Sequence, residues 1–330
     1  MRFAVIGAGG WGTAFARLLA TAGHETFLWV RDPQRASLIA AERRNTKYLP
    51  DVTLPVENLR ISADLGEALT YDVLVLAVPS IGMADLLRTV SSYRLSSPVM
   101  INLAKGIDRG SRCTMSELIE HHVPGAKAFT LSGPCHAEEV GRDYPTAVVL
   151  AGRDLMLGET LQREIATPRF RVYLSDDLRG VELCAAVKNV IALATGVSDG
   201  LGYGDNSRGA LITRGLAEMV RFGRTFGVRD ATFFGLSGLG DLVATCTSLH
   251  SRNRRVGYRL GRGESLEEVV SAMEMVAEGV YATAIVHEIA QERGIEMPIT
   301  EAVHLLLAEK ADPLSLVEQI MTRSPKREGG

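Results

Sequence analysis

The sequence is short of several things, and each shortage removes a class of protein. Charge of one sign is not in excess: 36 lysines and arginines face 39 aspartates and glutamates, a formal net charge of −3 at pH 7. Without a basic surplus nothing balances a nucleic-acid backbone, so no nucleic-acid partner is expected. Cysteine is sparse, with four in 330 residues. Cys113, Cys135, Cys184 and Cys246 lie far apart and form no C-x-x-C pair, which argues against a zinc site or a redox dithiol and for a reduced, cytoplasmic protein. Nothing approaches the roughly 18 uninterrupted apolar residues of a membrane span. Tandem repeats and low-complexity segments are also missing. The 46% hydrophobic content is ordinary for a globular chain, and 330 residues are enough for two domains with a core each.

What is present begins at the N-terminus. An apolar run, Phe3-Ala4-Val5-Ile6, enters the turn Gly7-Ala8-Gly9-Gly10-Trp11-Gly12, and a helix-compatible stretch from Thr13 to Ala20 follows. This is the G-x-G-x-x-G pattern in its strand-to-helix setting. Gly7 permits the tight turn, Gly9 lets backbone approach a pyrophosphate, and Gly12 lets the helix pack closely, its N-terminus facing the phosphates. A dinucleotide cofactor is the expectation.

Strand-like segments recur at 2–6, 25–30, 72–78, 98–103, 127–132, 146–150 and 170–174, several of them continuous apolar runs that suit strands buried on both faces. From about residue 177 the pattern turns helical. Val181, Cys184, Ala185, Val187, Val190 and Ile191 would line one broad face of a long helix, and further helices are expected over 208–226, 252–261, 265–276, 280–293 and 298–308. The expected fold is an α/β, Rossmann-type N-terminal domain with a mainly parallel sheet over residues 1–177, followed by an all-α domain over 178–330 that binds substrate.

The second strand candidate ends in Arg31-Asp32. An acidic residue here commonly accepts hydrogen bonds from the ribose 2′-hydroxyl of NAD, whereas an arginine favours the 2′-phosphate of NADP. The cation comes first, so NADP(H) is expected, with NAD(H) accepted. Asp32 also suits an N-cap for a helix starting at Pro33.

The middle of the chain holds a second constellation: Asn102-Leu103-Ala104-Lys105-Gly106, Ser132-Gly133-Pro134-Cys135-His136-Ala137, Val187-Lys188-Asn189-Val190, Ser237-Gly238-Leu239-Gly240-Asp241 through Thr245, and Ser251-Arg252-Asn253-Arg254-Arg255. With the glycine fingerprint, these ordered motifs resemble the bacterial NAD(P)-dependent glycerol-3-phosphate dehydrogenase family over essentially residues 1–310. The resemblance implies reversible hydride transfer from nicotinamide C4 to C2 of dihydroxyacetone phosphate, giving sn-glycerol 3-phosphate for glycerophospholipid synthesis in the cytoplasm. It leaves room for a homodimer.

By the same resemblance Lys188 is the proton donor and acceptor, and Lys105 and Asp241 are the other catalytic residues. Gly133, Asn189, Thr245, Ser251, Arg252 and Asn253 join Lys105 and Asp241 around the substrate. Gly7, Gly9, Gly10, Trp11, Gly12, Arg31, Tyr48, Lys105, Ala137, Arg252, Val276 and Glu278 serve the cofactor. No metal is expected. The residue types fit these roles. An ammonium among Val187, Val190 and Ile191 is costly to desolvate, and a nearby Lys105 acts in the same sense, so the Lys188 pKa should be lowered. The Arg252 guanidinium can hold two phosphate oxygens at once. Taken alone, Lys188 could be a surface residue of an amphipathic helix, Asp241 a helix N-cap, and the Arg252–Arg255 run a solvated basic face. Two other functions fit the fold: a related dehydrogenase of another small hydroxy acid, and a cofactor-binding sensor without turnover.

Overall fold

The computed structural model of the chain describes all residues except 97, 274–276, 326 and 328–330. Among the described residues the strands are β1 (Phe3–Ile6), β2 (Thr26–Trp29), β3 (Arg44–Asn45), β4 (Leu49–Thr53), β5 (Leu59–Ser62), β6 (Val73–Leu76), β7 (Val99–Asn102), β8 (Lys127–Ser132), β9 (Thr146–Gly152) and β10 (Phe170–Ser175). Eight of them form one sheet in the order β10-β9-β8-β7-β6-β1-β2-β5, and β3 pairs with β4 as a separate small hairpin. Pairing in the large sheet is parallel except between β8 and β9.

All seven expected strands are present. β5 and the β3–β4 hairpin were not anticipated: β5 is a four-residue edge strand, and Pro50 interrupts β4 in a way that reads as loop. The reversal at β9 was equally invisible, because an apolar run shows that a strand is buried and says nothing of its direction. Successive residues of the strands feed opposite faces. Phe3, Val5, Leu28, Val73, Val75 and Ile101 enter one apolar core, while Ala4, Ile6, Phe27, Leu74, Leu76 and Met100 enter another. Both faces are therefore covered, as the continuous apolar runs require.

β1 sits between β2 and β6, with Ile6 level with Trp29 on one side and Leu76 on the other. The chain leaves β1 towards β2 and β5, then returns through β6 to build the other half. Strand order reverses there, and in such sheets ligands bind just beyond the carboxyl ends at the reversal.

The chain divides into two compact units, Met1–Ala186 with Gly227–Asp241, and Val187–Phe226 with Leu242–Gly330. The helix Leu178–Gly200 begins in the first and enters the second at Val187. Among the described residues it is the one helix long and apolar enough to cross a membrane, yet that apolar stretch is wholly buried inside the protein. Residues 181–198 are buried on every side rather than along one broad face, which corrects the amphipathic expectation and explains why its periodicity is weak.

In the second unit this helix packs on Arg252–Gly261 with backbone against backbone. A Cβ at Gly196 would lie 2.0 Å from the Arg254 carbonyl oxygen, and one at Gly257 would lie 2.0 Å from that of Leu193. Gly200 and Gly261 repeat the arrangement one turn on. Mid-helix glycine costs about 1 kcal/mol relative to alanine, so the close approach must offset that loss. It also fixes Asn253 beside Asn189, with a 2.8 Å hydrogen bond between their amides. Gly257→Ala should lower the denaturation midpoint, by ~1–3 kcal/mol of overpacking, despite alanine's better helix propensity. An unchanged or higher midpoint in chemical denaturation would contradict the contact.

Candidate active site

The glycine turn follows β1 at the strand-order reversal. Gly7 has φ 120°, and a Cβ there would lie 2.6 Å from the Ala77 carbonyl oxygen; one at Gly12 would lie 2.0 Å from the Gly7 carbonyl oxygen. Both positions are closed by backbone. Gly9 differs, because nothing lies within 4 Å of its missing Cβ. It is also the N-cap of helix Gly10–Thr21, with no side-chain cap and no acidic residue in the first turn. Uncapped amides at the positive end of a helix, opening onto free space, suit a diphosphate. Trp11 stands in that first turn, its indole Nε1 buried without a hydrogen-bond acceptor. Gly10 has neighbours on two sides: its Cβ position is 3.1 Å from the Tyr48 carbonyl oxygen and 3.5 Å from the Ala137 Cβ. The turn therefore has the shape and the unmet donor expected of a dinucleotide seat.

Asn45 holds this turn in place, and the sequence reading missed it. Its buried amide donates to the Ala8 carbonyl at 3.0 Å and to Thr13 Oγ1 at 2.8 Å. Arg31 is exposed just past β2. Asp32 next to it caps helix Pro33–Glu42, accepting from Gln34 N at 2.9 Å and Arg35 N at 3.4 Å.

Lys105 lies in the loop after β7. The Asn102 side chain shapes that loop, accepting from Ala104 N at 2.8 Å and donating to Ala104 O at 3.0 Å. The Lys105 ammonium donates to Asp241 Oδ2 at 2.7 Å and to the Gly133 carbonyl at 2.9 Å, with Cys135 Sγ 3.6 Å away. Burial opposes its charge, but the Asp241 carboxylate and Cys135 more than offset this, and the pKa is pushed up to about 12. Asp241 is 2% exposed and opens helix Asp241–Thr247 directly after a π-helical turn, Leu236–Gly240. Its carboxylate is thus engaged with a cation, where the bare motif also allowed a simple cap. Cys135 and His136 flank the start of helix Ala137–Gly141.

Lys188 is 3% exposed on helix Leu178–Gly200 and donates to Thr245 Oγ1 at 2.6 Å. Asn189 accepts from Asn253 Nδ2 at 2.8 Å, and Asn253 Oδ1 accepts from Gly279 N at 2.9 Å. Because Gly279 N can only donate, the Asn253 amide has one orientation, and its NH₂ must face Asn189. Ser251 is buried and caps helix Arg252–Gly261 through Arg254 N at 3.2 Å. Arg252 is the half-buried first residue of that helix. Arg254, which the sequence left as surface charge, instead pairs with the nearly buried Asp199 at 2.7 Å, and Arg208 shares the same carboxylate at 2.8 Å. Arg255 is exposed. Glu278 opens helix Glu278–Glu292, and Val276 lies outside the described residues. The fold thus groups Lys105, Gly133 and Asp241, pairs Lys188 with Thr245, and joins Asn189 to Asn253.

Two family models match, NAD-dependent glycerol-3-phosphate dehydrogenase N-terminus over residues 2–157 and C-terminus over residues 177–318. The chain is 46% identical over 331 residues to glycerol-3-phosphate dehydrogenase (NAD(P)+) of Nitratidesulfovibrio vulgaris, covering 99% of this chain and 100% of that protein. It is 44% identical over 332 residues to the protein of the same name from Chlorobium luteolum, with 99% of each covered. The crystal structure of glycerol-3-phosphate dehydrogenase from Coxiella burnetii superimposes with a TM-score of 0.94 at 40% identity, over 98% of this chain and 99% of that one. A D-mandelate dehydrogenase complex with NADH, at 14% identity and a TM-score of 0.65, shares the fold.

The Lys105 arrangement has a direct consequence. In Asp241→Asn the carboxylate is gone and burial acts with less opposition, so the Lys105 pKa should fall from about 12. The pH dependence of reductive methylation at Lys105 measures this; an unchanged titration would show that Asp241 does not hold the charge.

Proposed function

The chain belongs to the NAD-dependent glycerol-3-phosphate dehydrogenase family, and from that premise we propose how its residues divide the work. It is an oxidoreductase that interconverts dihydroxyacetone phosphate and sn-glycerol 3-phosphate with NADP or NAD. A dinucleotide held by its diphosphate at the glycine turn would supply, from its nicotinamide, the hydride for C2 of the ketone. The oxygen on C2 then gains negative charge and needs a proton.

Two lysines compete for that role, and they differ in burial: Lys188 is 3% exposed, the Lys105 side chain 19%. Lys105 is held protonated by Asp241, with its pKa pushed up to about 12. A group that keeps its proton throughout the neutral range stabilises charge and relays protons poorly. Lys188 carries the proton instead. Its ammonium is oriented by the neutral Thr245 hydroxyl at 2.6 Å, and its 3% exposure limits exchange with bulk water. The deep burial of the Lys188 ammonium is the observation that carries the reading. In the oxidative direction Lys188 takes the proton back.

Asn189, oriented by Asn253, presents its amide to the substrate hydroxyl. Arg252 clamps the phosphate, with Asn253 and the Ser251-capped helix start behind it. Gly133 brings a backbone turn to the substrate beside Lys105. Trp11, Ala137 and Glu278 line the cofactor. We further propose a cytoplasmic enzyme that feeds glycerophospholipid synthesis, with a homodimer as its candidate assembly.

NADPH absorbance followed with dihydroxyacetone phosphate and with unphosphorylated dihydroxyacetone tests the substrate, and comparable kcat/KM for the two would remove the phosphate assignment. Lys188→Ala should lose ~10²–10⁴-fold in kcat, the usual contribution of a general acid, while still binding NADPH. Near-normal turnover would take Lys188 out of the mechanism. Arg252→Ala should raise KM about tenfold or more, as expected for losing a charged hydrogen bond, and an unchanged KM would contradict the phosphate clamp.

A further inference from the structure

Beyond β2 the structure gathers three cations where the ribose of a bound dinucleotide would end. Arg31 is exposed just past the strand, Arg35 is half-buried on the helix that Asp32 caps, and Lys47 is exposed in the turn between β3 and β4. Among the described residues none of the three is ion-paired with a carboxylate. The nearest acid in sequence, Asp32, accepts from the Gln34 and Arg35 amides through Oδ1.

Arg35 is held from two directions. Its guanidinium lies over the Tyr48 ring, with Cζ 4.8 Å from the centroid, and Lys47 Nζ is 5.3 Å from the same centroid. Its Nη2 donates to Asn45 Oδ1 at 3.4 Å. Asn45 is the residue whose amide ties down the glycine turn through Ala8 and Thr13. The Tyr48 carbonyl also stands 3.1 Å from the Gly10 Cβ position. A planar, always-charged donor is therefore fixed in register with the diphosphate seat, while its remaining N–H groups have no carboxylate to satisfy.

We propose that Arg35, held by Tyr48 and Asn45, is a specificity-determining residue that binds the 2′-phosphate of NADP together with Arg31 and Lys47. Tyr48 then serves as the platform for this guanidinium, and an arginine is the suited donor because it can take two phosphate oxygens at once. The inference rests on the reading of the Arg31 strand end as the place where the two nucleotides are told apart.

The test uses the full chain and two fragments of the cofactor, adenosine 2′,5′-bisphosphate and 5′-AMP, titrated by calorimetry. The unaltered protein should prefer the bisphosphate. Arg35→Gln should weaken the bisphosphate about tenfold or more, the scale of a charge-assisted hydrogen bond, and 5′-AMP by less than about twofold. Arg35→Lys, which keeps the charge and loses the plane, should fall between the two and retain the salt dependence. The ratio of kcat/KM for NADPH over NADH should drop in parallel. Equal loss on both fragments would make Arg35 a packing residue and overturn the proposal, as would no loss on either or no preference in the unaltered protein. Arg31→Gln separates the two readings. If it leaves the bisphosphate unaffected while Arg35→Gln does not, Arg31 drops out of the phosphate site and the Arg35 assignment stands; the reverse pattern overturns Arg35 alone.

Discussion

The constraint on which the rest depends is the approach of backbone to backbone at positions where a Cβ is missing. In the first unit the Gly12 helix start sits against the Gly7 carbonyl, and Gly7 against Ala77. This seats helix Gly10–Thr21 at the carboxyl ends of β1 and β6 and aims its uncapped amides at the open space beside Gly9. In the second unit Gly196 and Gly257 bring two helices to carbonyl contact. One of these helices carries Lys188 and Asn189, and the other begins with Arg252 and Asn253. Any side chain at these positions would force the backbones apart and shift the elements that carry these residues.

Charge placement is the second layer, and it follows from burial. A buried ammonium or carboxylate is tolerated when hydrogen-bonded partners replace the water it has lost. Each buried charge in this chain meets that requirement in a different way. Glu182 collects Ser116 N at 2.8 Å and the Ser116 and Thr130 hydroxyls at 2.6 Å, fastening helix Met115–His122 and strand β8 to the start of the long helix. Burial raises its pKa against those three donors. Glu218 caps helix Pro298–Ala308 through Ile299 N at 2.6 Å and Thr300 N at 3.1 Å, and burial pushes its pKa up to about 7. These carboxylates hold the scaffold, whereas the Lys105–Asp241 pair ties the Gly133 turn to the start of helix Asp241–Thr247.

Local chemistry was legible in the sequence, and long-range chemistry was not. The glycine turn, the apolar strands, the Asp32 cap and the helix from Arg252 to Gly261 each rest on residues within a few positions of one another, so their patterns survive in one dimension. Glu182 meets partners 52 and 66 residues away, and Arg254 meets Asp199 across 55. No spacing rule connects such residues until the fold has brought them together. The glycine pairs are an intermediate case. Gly196-x-x-x-Gly200 and Gly257-x-x-x-Gly261 have the spacing of a close helix contact, but each helix shows only half of it. The long helix misled for the opposite reason: with both faces buried, it had no polar face to give its apolar residues a period.

The Arg31-Asp32 dipeptide shows why residue type alone decides less than residue engagement. Read as a pair, it offers a cation for a 2′-phosphate and an anion for a 2′-hydroxyl, and only the order of the two tilts the reading towards NADP. Asp32 Oδ1 takes the first-turn amides of helix Pro33–Glu42, which fixes the direction of its carboxylate. The same helix start then carries Arg35 to the ring of Tyr48. A single capping interaction thus orients Asp32 and places Arg35 at once. Which nucleotide such a strand end favours depends on the geometry of a helix N-terminus as well as on the count of charges around it.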